Sequence, residues 1–175
     1  MEEVFYMTKN LIVRGAPQEY EIKENAWDSL HEHLYKRHID NVLILHGKTS
    51  WKAVKDDFPE LSITNLFEYY GGECTDPLAD SFVSLCKKKD FNGIIAVGGG
   101  KVADLGKLIA YKANLPIIVL PTLAATCAAY TPLSVVYNEE GVMLRFDMFP
   151  KANDLVLIDP KIILHSPREL SLIHI

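Results

Sequence analysis

The chain alternates unbroken apolar runs with stretches in which apolar residues recur every three or four positions. Asn41 to Leu45 reads as a strand, its apolar run ending at His46 and Gly47 as expected of one buried on both faces. Ile94 to Val97, Ile117 to Leu120 and Asp154 to Ile158 repeat the pattern, and a weaker run predicts a strand around Ile63 to Phe67. A short strand is predicted at Asn10 to Arg14. Between these lie helical patterns. Ala26 to Lys36 places Trp27, Leu30 and Leu34 on one face, and a helix is expected around Ser50 to Lys55. Pro77 opens another, where its fixed φ and missing N–H cost least. That helix runs to about Lys88 with Phe82, Leu85 and Cys86 inward, and Lys101 to Ala113 forms the most regular one. After Pro121 the residues become small and polar. Strand-like runs at Leu133–Tyr137 and Met143–Phe146 then flank Asn138 to Gly141, a predicted hairpin turn. Strands alternating with helices imply α/β architecture: a Rossmann-like, doubly wound parallel sheet with an added β-hairpin.

Composition narrows the function classes. With 49% hydrophobic and 23% charged residues in 175, the sequence is that of a globular chain with a proper core. The net charge of −5 argues against a polyanion such as nucleic acid as partner, and Lys87 to Lys89 read as a solvated helix end. No run of about 20 apolar residues indicates a membrane span. No signal peptide is visible at the amino terminus. Three cysteines, Cys74, Cys86 and Cys127, fit reduced thiols in a cytoplasmic protein better than a disulfide framework or a zinc site.

The candidate chemistry lies at Gly98-Gly99-Gly100-Lys101, between a strand and a helix. Three glycines there are costly unless the backbone must approach something closely. The amino end of a helix offers unpaired N–H groups and partial positive charge, so phosphate is the natural guest, with a ligand-free tight turn as the alternative. Lys101 either adds charge to the phosphates or reaches solvent. A Walker loop fails, because Val102 follows Lys101 and Ile95 stands at the first glycine position. The dinucleotide fingerprint fits formally as Gly98, Gly100 and Ala103, yet the next strand ends in Pro121 and Thr122 with no acid for a ribose.

Residues 98 to 170 resemble the iron-containing alcohol dehydrogenases and glycerol dehydrogenases, which share a fold with dehydroquinate synthase. The likeness rests on Gly98 to Lys101 with Asp104, Pro121-Thr122, Pro132 to Tyr137, Glu139 to Gly141 and the closing Asp154 to Asp159. It implies an NAD(P)-binding domain over residues 1–165, with 166–175 the start of a helical metal-binding domain that is otherwise missing. It implies that Gly99, Gly100 and Lys101 hold the cofactor pyrophosphate, with Gly98 and Asp104 also among the cofactor-binding residues. Thr122, Thr131, Leu133 and Tyr137 would line the remaining cofactor positions. The alternative is that Leu133 and Tyr137 are core residues and Thr122 a cap.

Departures from that pattern refine the reading. Cys127 stands where glycerol dehydrogenases carry a substrate-gripping aspartate, and a neutral thiol does not repel an anion. The run Thr126 to Ser134 is similar to the hydroxycarboxylate dehydrogenase subgroup, implying a 2-oxo or 2-hydroxy acid at Cys127. NAD-preferring members end the first long strand with an aspartate. Here His46, Gly47 and Lys48 stand there, which suits the 2′-phosphate of NADP over NAD unless Lys48 is only solvated. A divalent metal (zinc, iron or nickel) is expected only in a complete protein, since the six histidines show no ligand spacing. The expected whole is a homo-oligomeric dehydrogenase acting on a small molecule, of which this chain alone is inactive. A polyol dehydrogenase and a non-catalytic nucleotide-binding fragment are the competing readings.

Overall fold

A computed structural model describes residues 12–167 and 169. Six strands form one sheet in the order β1 (Tyr20–Ile22), β8 (Leu155–Ile158), β5 (Ile117–Pro121), β4 (Gly93–Gly98), β2 (Asn41–His46) and β3 (Thr64–Tyr69), all parallel. The apolar runs are its centre, with Val42 to Leu45 and Ile95 to Val97 fully buried. Because side chains alternate across a strand, each run feeds two cores. Val42, Ile44, Ile95 and Val97 face Trp27, Leu30, Leu34 and Val54, from helices α1 (Leu30–Lys36) and α2 (Lys48–Val54) and the 3-10 turn Ala26–Ser29 before α1. Leu43, Leu45, Ile94 and Ala96 face α3 (Asp76–Lys89) and α4 (Gly100–Ala113).

The two groups of helices lie on opposite faces because the chain winds in two directions. Right-handed crossovers carry it from β1 to β2 and on to β3 over one face, then back through β4 to β5 over the other. The reversal falls between β2 and β4. There the carboxyl ends of neighbouring strands lead into helices that diverge, which leaves a crevice. His46 pairs in register with Val97, so the two strand ends meet at that crevice.

The expected hairpin is present as β6 (Leu133–Tyr137) and β7 (Met143–Met148), a separate antiparallel pair packed on α4. Arg145 ties it to α3 through Asp76, with nitrogen–oxygen distances of 2.6 and 3.1 Å. That guanidinium draws the Asp76 carboxyl down to about 2. Leu144, Phe146 and Met148 face outward and are about half exposed.

The first predicted strand needs correction. Residues 10 and 11 lie outside the described residues, and Arg14 forms only an isolated bridge to Lys151. The sheet's edge is instead β1, whose three residues alternate Tyr20, Glu21 and Ile22 with little burial, so its apolar content was too weak to mark it. Among the described residues no helix is long and apolar enough to cross a membrane.

Helix α4 packs tightly on the sheet at Gly106, where an added Cβ would come within 3.0 Å of both Ala96 Cβ and Ile117 Cδ1. Gly106→Val is therefore expected to cost about 1–3 kcal/mol of overpacking. Denaturant unfolding checks it; an unchanged midpoint would mean that α4 shifts freely.

Candidate functional site

Strand β4 ends at Gly98 and helix α4 starts at Gly100, with an extended Gly99 between them. Gly98 has φ +156°, and a Cβ there would lie 2.8 Å from Val102 Cγ2, so this turn requires glycine. The Gly98 carbonyl accepts from the Thr122 N–H at 3.1 Å, which locks the end of β5 beside the turn. No side chain caps α4, so its amino end remains available to an anion. A Cβ on Gly99 would come within 3.2 Å of Leu123 Cδ2, and one on Gly100 within 3.1 Å of Thr126 Cγ2. The glycines thus keep a shallow cradle free of side chains. Across the crevice stands Gly47, and Ser50 Oγ lies 3.5 Å from a Cβ built on Gly98.

Lys101 lies on the first turn of α4, with its ammonium 5.6 Å from the centre of the Tyr137 ring. It forms an ion pair with Glu73, in the loop between β3 and α3. The carboxylate raises the lysine pKa above its ordinary value. That loop is joined to β6, since Tyr137 N–H donates to the Cys74 carbonyl at 2.8 Å. Lys101 is thus already paired where a phosphate would be held.

Asp104 is turned inward. Its Oδ2 accepts from Val135 N–H at 3.3 Å, its backbone carbonyl from the Ser134 hydroxyl at 2.9 Å, and its Oδ1 lies 3.0 Å from Lys107 Nζ. Lys107 is 4% exposed and donates to the carbonyls of Ala128 at 2.9 Å, Thr131 at 3.2 Å and Leu133. Burial pulls the Lys107 ammonium down and pushes the Asp104 carboxyl up, and each charge opposes the other's shift.

The other expected residues are spread along two sides. Thr122 is buried beside the turn, while Thr131, Leu133 and Tyr137 are half-buried along the loop and β6. Cys127 is exposed at the outside of that loop, and its carbonyl accepts from the amides of Tyr130 and Thr131. On the β2 side, His46 packs against Trp51 at 5.1 Å between ring centres. The Lys48 ammonium lies 4.6 Å from the centre of the Tyr69 ring. Glu73, Thr126 and Lys107 were not singled out from the sequence. Lys107 carried one signal, a lone cation on the buried apolar face of α4, whereas Glu73 and Thr126 reach the turn only through tertiary folding.

The glycine cradle, which any Cβ would fill, fits the pyrophosphate of a dinucleotide. A metal finds no such fit: among the described residues no group of three or more His, Cys, Asp or Glu side chains is arranged to hold one. Known proteins share the fold. Hydroxycarboxylate dehydrogenase A of Escherichia coli (strain K12) is 31% identical over 155 residues, covering 87% of this chain and 42% of the relative. Glycerol dehydrogenase of Citrobacter freundii is 36% identical over 103 residues, covering 59% of this chain and 28% of the relative. The crystal structure of a probable glycerol dehydrogenase from Sinorhizobium meliloti 1021 superposes with a TM-score of 0.81 at 26% identity, covering 91% of this chain and 44% of that one. The chain spans less than half the length of these relatives. The sequence profile of the iron-containing alcohol dehydrogenases matches residues 17–160, and the chain belongs to that family.

Proposed function

We propose that this chain is the cofactor-binding half of an NAD(P)-dependent dehydrogenase, which in its complete form reduces 2-oxo acids to 2-hydroxy acids with NADPH. The observation that carries the reading is the uncapped, glycine-walled amino end of α4, set at the crevice where the sheet reverses its winding. Ligands of open parallel sheets bind at such points. The backbone of Gly98 to Gly100 takes the pyrophosphate, and Lys101 exchanges Glu73 for a phosphate oxygen. Thr122, Thr131, Leu133 and Tyr137 line the rest of the cofactor. A bound reduced nicotinamide supplies hydride to a carbonyl carbon.

Lys48, beside Gly47 at the crevice, supports a 2′-phosphate, because no carboxylate ends β2 to receive a ribose hydroxyl pair. Cys127 faces the substrate on a segment, Thr122 to Tyr137, that contains no charged side chain and so does not repel a carboxylate. A polyol substrate is the competing reading, supported by the likeness to glycerol dehydrogenases. A homo-oligomer, in which a second surface covers the outward Leu144, Phe146 and Met148, is part of the proposal.

Titration of the folded chain with NADPH and NADH, followed by nicotinamide fluorescence, tests the assignment. Saturable binding that favours NADPH is expected, and Gly99→Val should abolish it by filling the cradle. Lys48→Met should reduce the preference for NADPH about tenfold, the scale of one charged hydrogen bond. Tighter NADH binding would overturn the 2′-phosphate assignment alone, whereas no binding of either would sink the cofactor reading.

The thiols give a second check. Burial pushes Cys74 up to about 12 and Cys86 to about 11, which keeps both protonated at pH 8, while Cys127 is exposed. Brief alkylation of the folded chain at pH 8 should modify Cys127 alone, as read by peptide mapping. Comparable labelling of Cys74 would show that the β3–α3 loop is open.

A further inference from the structure

Lys107 stands out because it is the lysine in the buried set among the described residues, and it meets the proposed site only through the backbone carbonyls of Thr131 and Leu133, with no assigned part in holding cofactor or substrate. Its partners all belong to the same neighbourhood. An ammonium has three N–H donors, and here they meet the carbonyls of Ala128, Thr131 and Leu133, while Asp104 balances the charge. The carbonyls of Ala128 and Thr131 come from the segment between β5 and β6, which has no strand partner to satisfy its inward-facing backbone, and that of Leu133 from the first residue of β6. Asn153 adds a second clamp by donating from Nδ2 to the Ala129 carbonyl. With the carbonyls drawn inward, Cys127 is left exposed on the outside and Thr126 sits against Gly100.

A pair that served stability alone would have little reason to be ionic. Burying two charges costs desolvation, and well-packed apolar residues commonly replace a buried pair without loss. An apolar pair, however, offers no donor to three carbonyls. Asp104 works in the same direction from the preceding turn of α4, holding the start of β6 through Ser134 and Val135.

We propose that Lys107, backed by Asp104, is a positioning residue that sets the wall of the cleft formed by residues 126–133. It acts through the backbone of that segment without itself touching ligand. The proposal rests on the cofactor reading for the identity of the ligand, but the clamp itself does not. The glycine turn lies at the amino end of α4, about two turns before Lys107, and of the clamped segment only Thr126 is placed against it, so the pyrophosphate end of a dinucleotide depends on Lys107 less than the other end does. The end that reaches Thr131 and Leu133 depends on it.

The test uses two variants of the chain. Lys107→Met alone leaves Asp104 as an unpaired buried carboxylate, so the double variant Lys107→Met/Asp104→Asn removes both charges together. Hydrogen–deuterium exchange should rise about tenfold or more in residues 126–133, while 42–45 and 94–97 stay protected. NADPH affinity should fall about tenfold, while calorimetry shows inorganic pyrophosphate binding within about twofold of the unsubstituted chain. Unchanged exchange in 126–133 would overturn the clamp. So would exchange that rises equally across the whole sheet, or loss of the folded state in both variants, because the pair would then support the sheet as a whole. Local loosening with NADPH and pyrophosphate weakened alike, or with neither weakened, would overturn the positioning role. If the unsubstituted chain binds neither probe, the cofactor reading fails and the positioning role with it, and the exchange result still decides the clamp.

Discussion

All six strands of the sheet run in the same direction, so every link between successive strands must cross a face, and all but the β5–β8 link, which carries the hairpin, bury a helix against it. Winding outward from β1 to β3 places α1 and α2 on one side, and winding back through β4 and β5 places α3 and α4 on the other. A single reversal therefore determines both the two-sided core and the crevice between β2 and β4. The candidate site is a consequence of that reversal, since neither strand end has a helix above the gap to close it.

Helix α4 shapes most of that site. Its amino end stays uncapped beside glycines, its middle comes to within contact of the sheet at Gly106, and its buried face holds an ion pair among apolar neighbours. The polar pair is tolerable in that setting because the ammonium and Asp104 Oδ2 meet acceptors and a donor from the loop and β6, while Asp104 Oδ1 faces the ammonium itself. The same helix thus organises both the glycine turn and the wall that follows β5. Glu73 contributes a further constraint from the loop before α3: it neutralises Lys101, so the positive character of the turn comes first from the helix end itself.

Membership of the iron-containing alcohol dehydrogenases accounts for the architecture, and the chain spans less than half the length of the relatives it matches. What those relatives act on is carried here only as a proposal, and its basis lies in residues that differ from a polyol-binding pattern, above all Cys127. The outward apolar side of β7, with Leu144, Phe146 and Met148, is consistent with a surface that is covered in a larger assembly.

Read by itself, the sequence determined the α/β class, the central strands, the hairpin and the glycine turn. Those features are local: an unbroken apolar run or three consecutive glycines have the same physical meaning wherever the chain goes. It missed β1, whose alternating, exposed residues draw their order from pairing with β8. It also named Asp104 without its partner and passed over Lys107, because an i,i+3 spacing indicates a shared helix face but not whether that face is wet or buried. Only the tertiary structure decided that Lys101 pairs with Glu73, that Thr126 meets Gly100 and that Lys107 gathers three carbonyls. Those contacts join residues some 20 to 30 positions apart in the chain, and their energy comes from burial and hydrogen bonding that exist only once the helix has settled on the sheet.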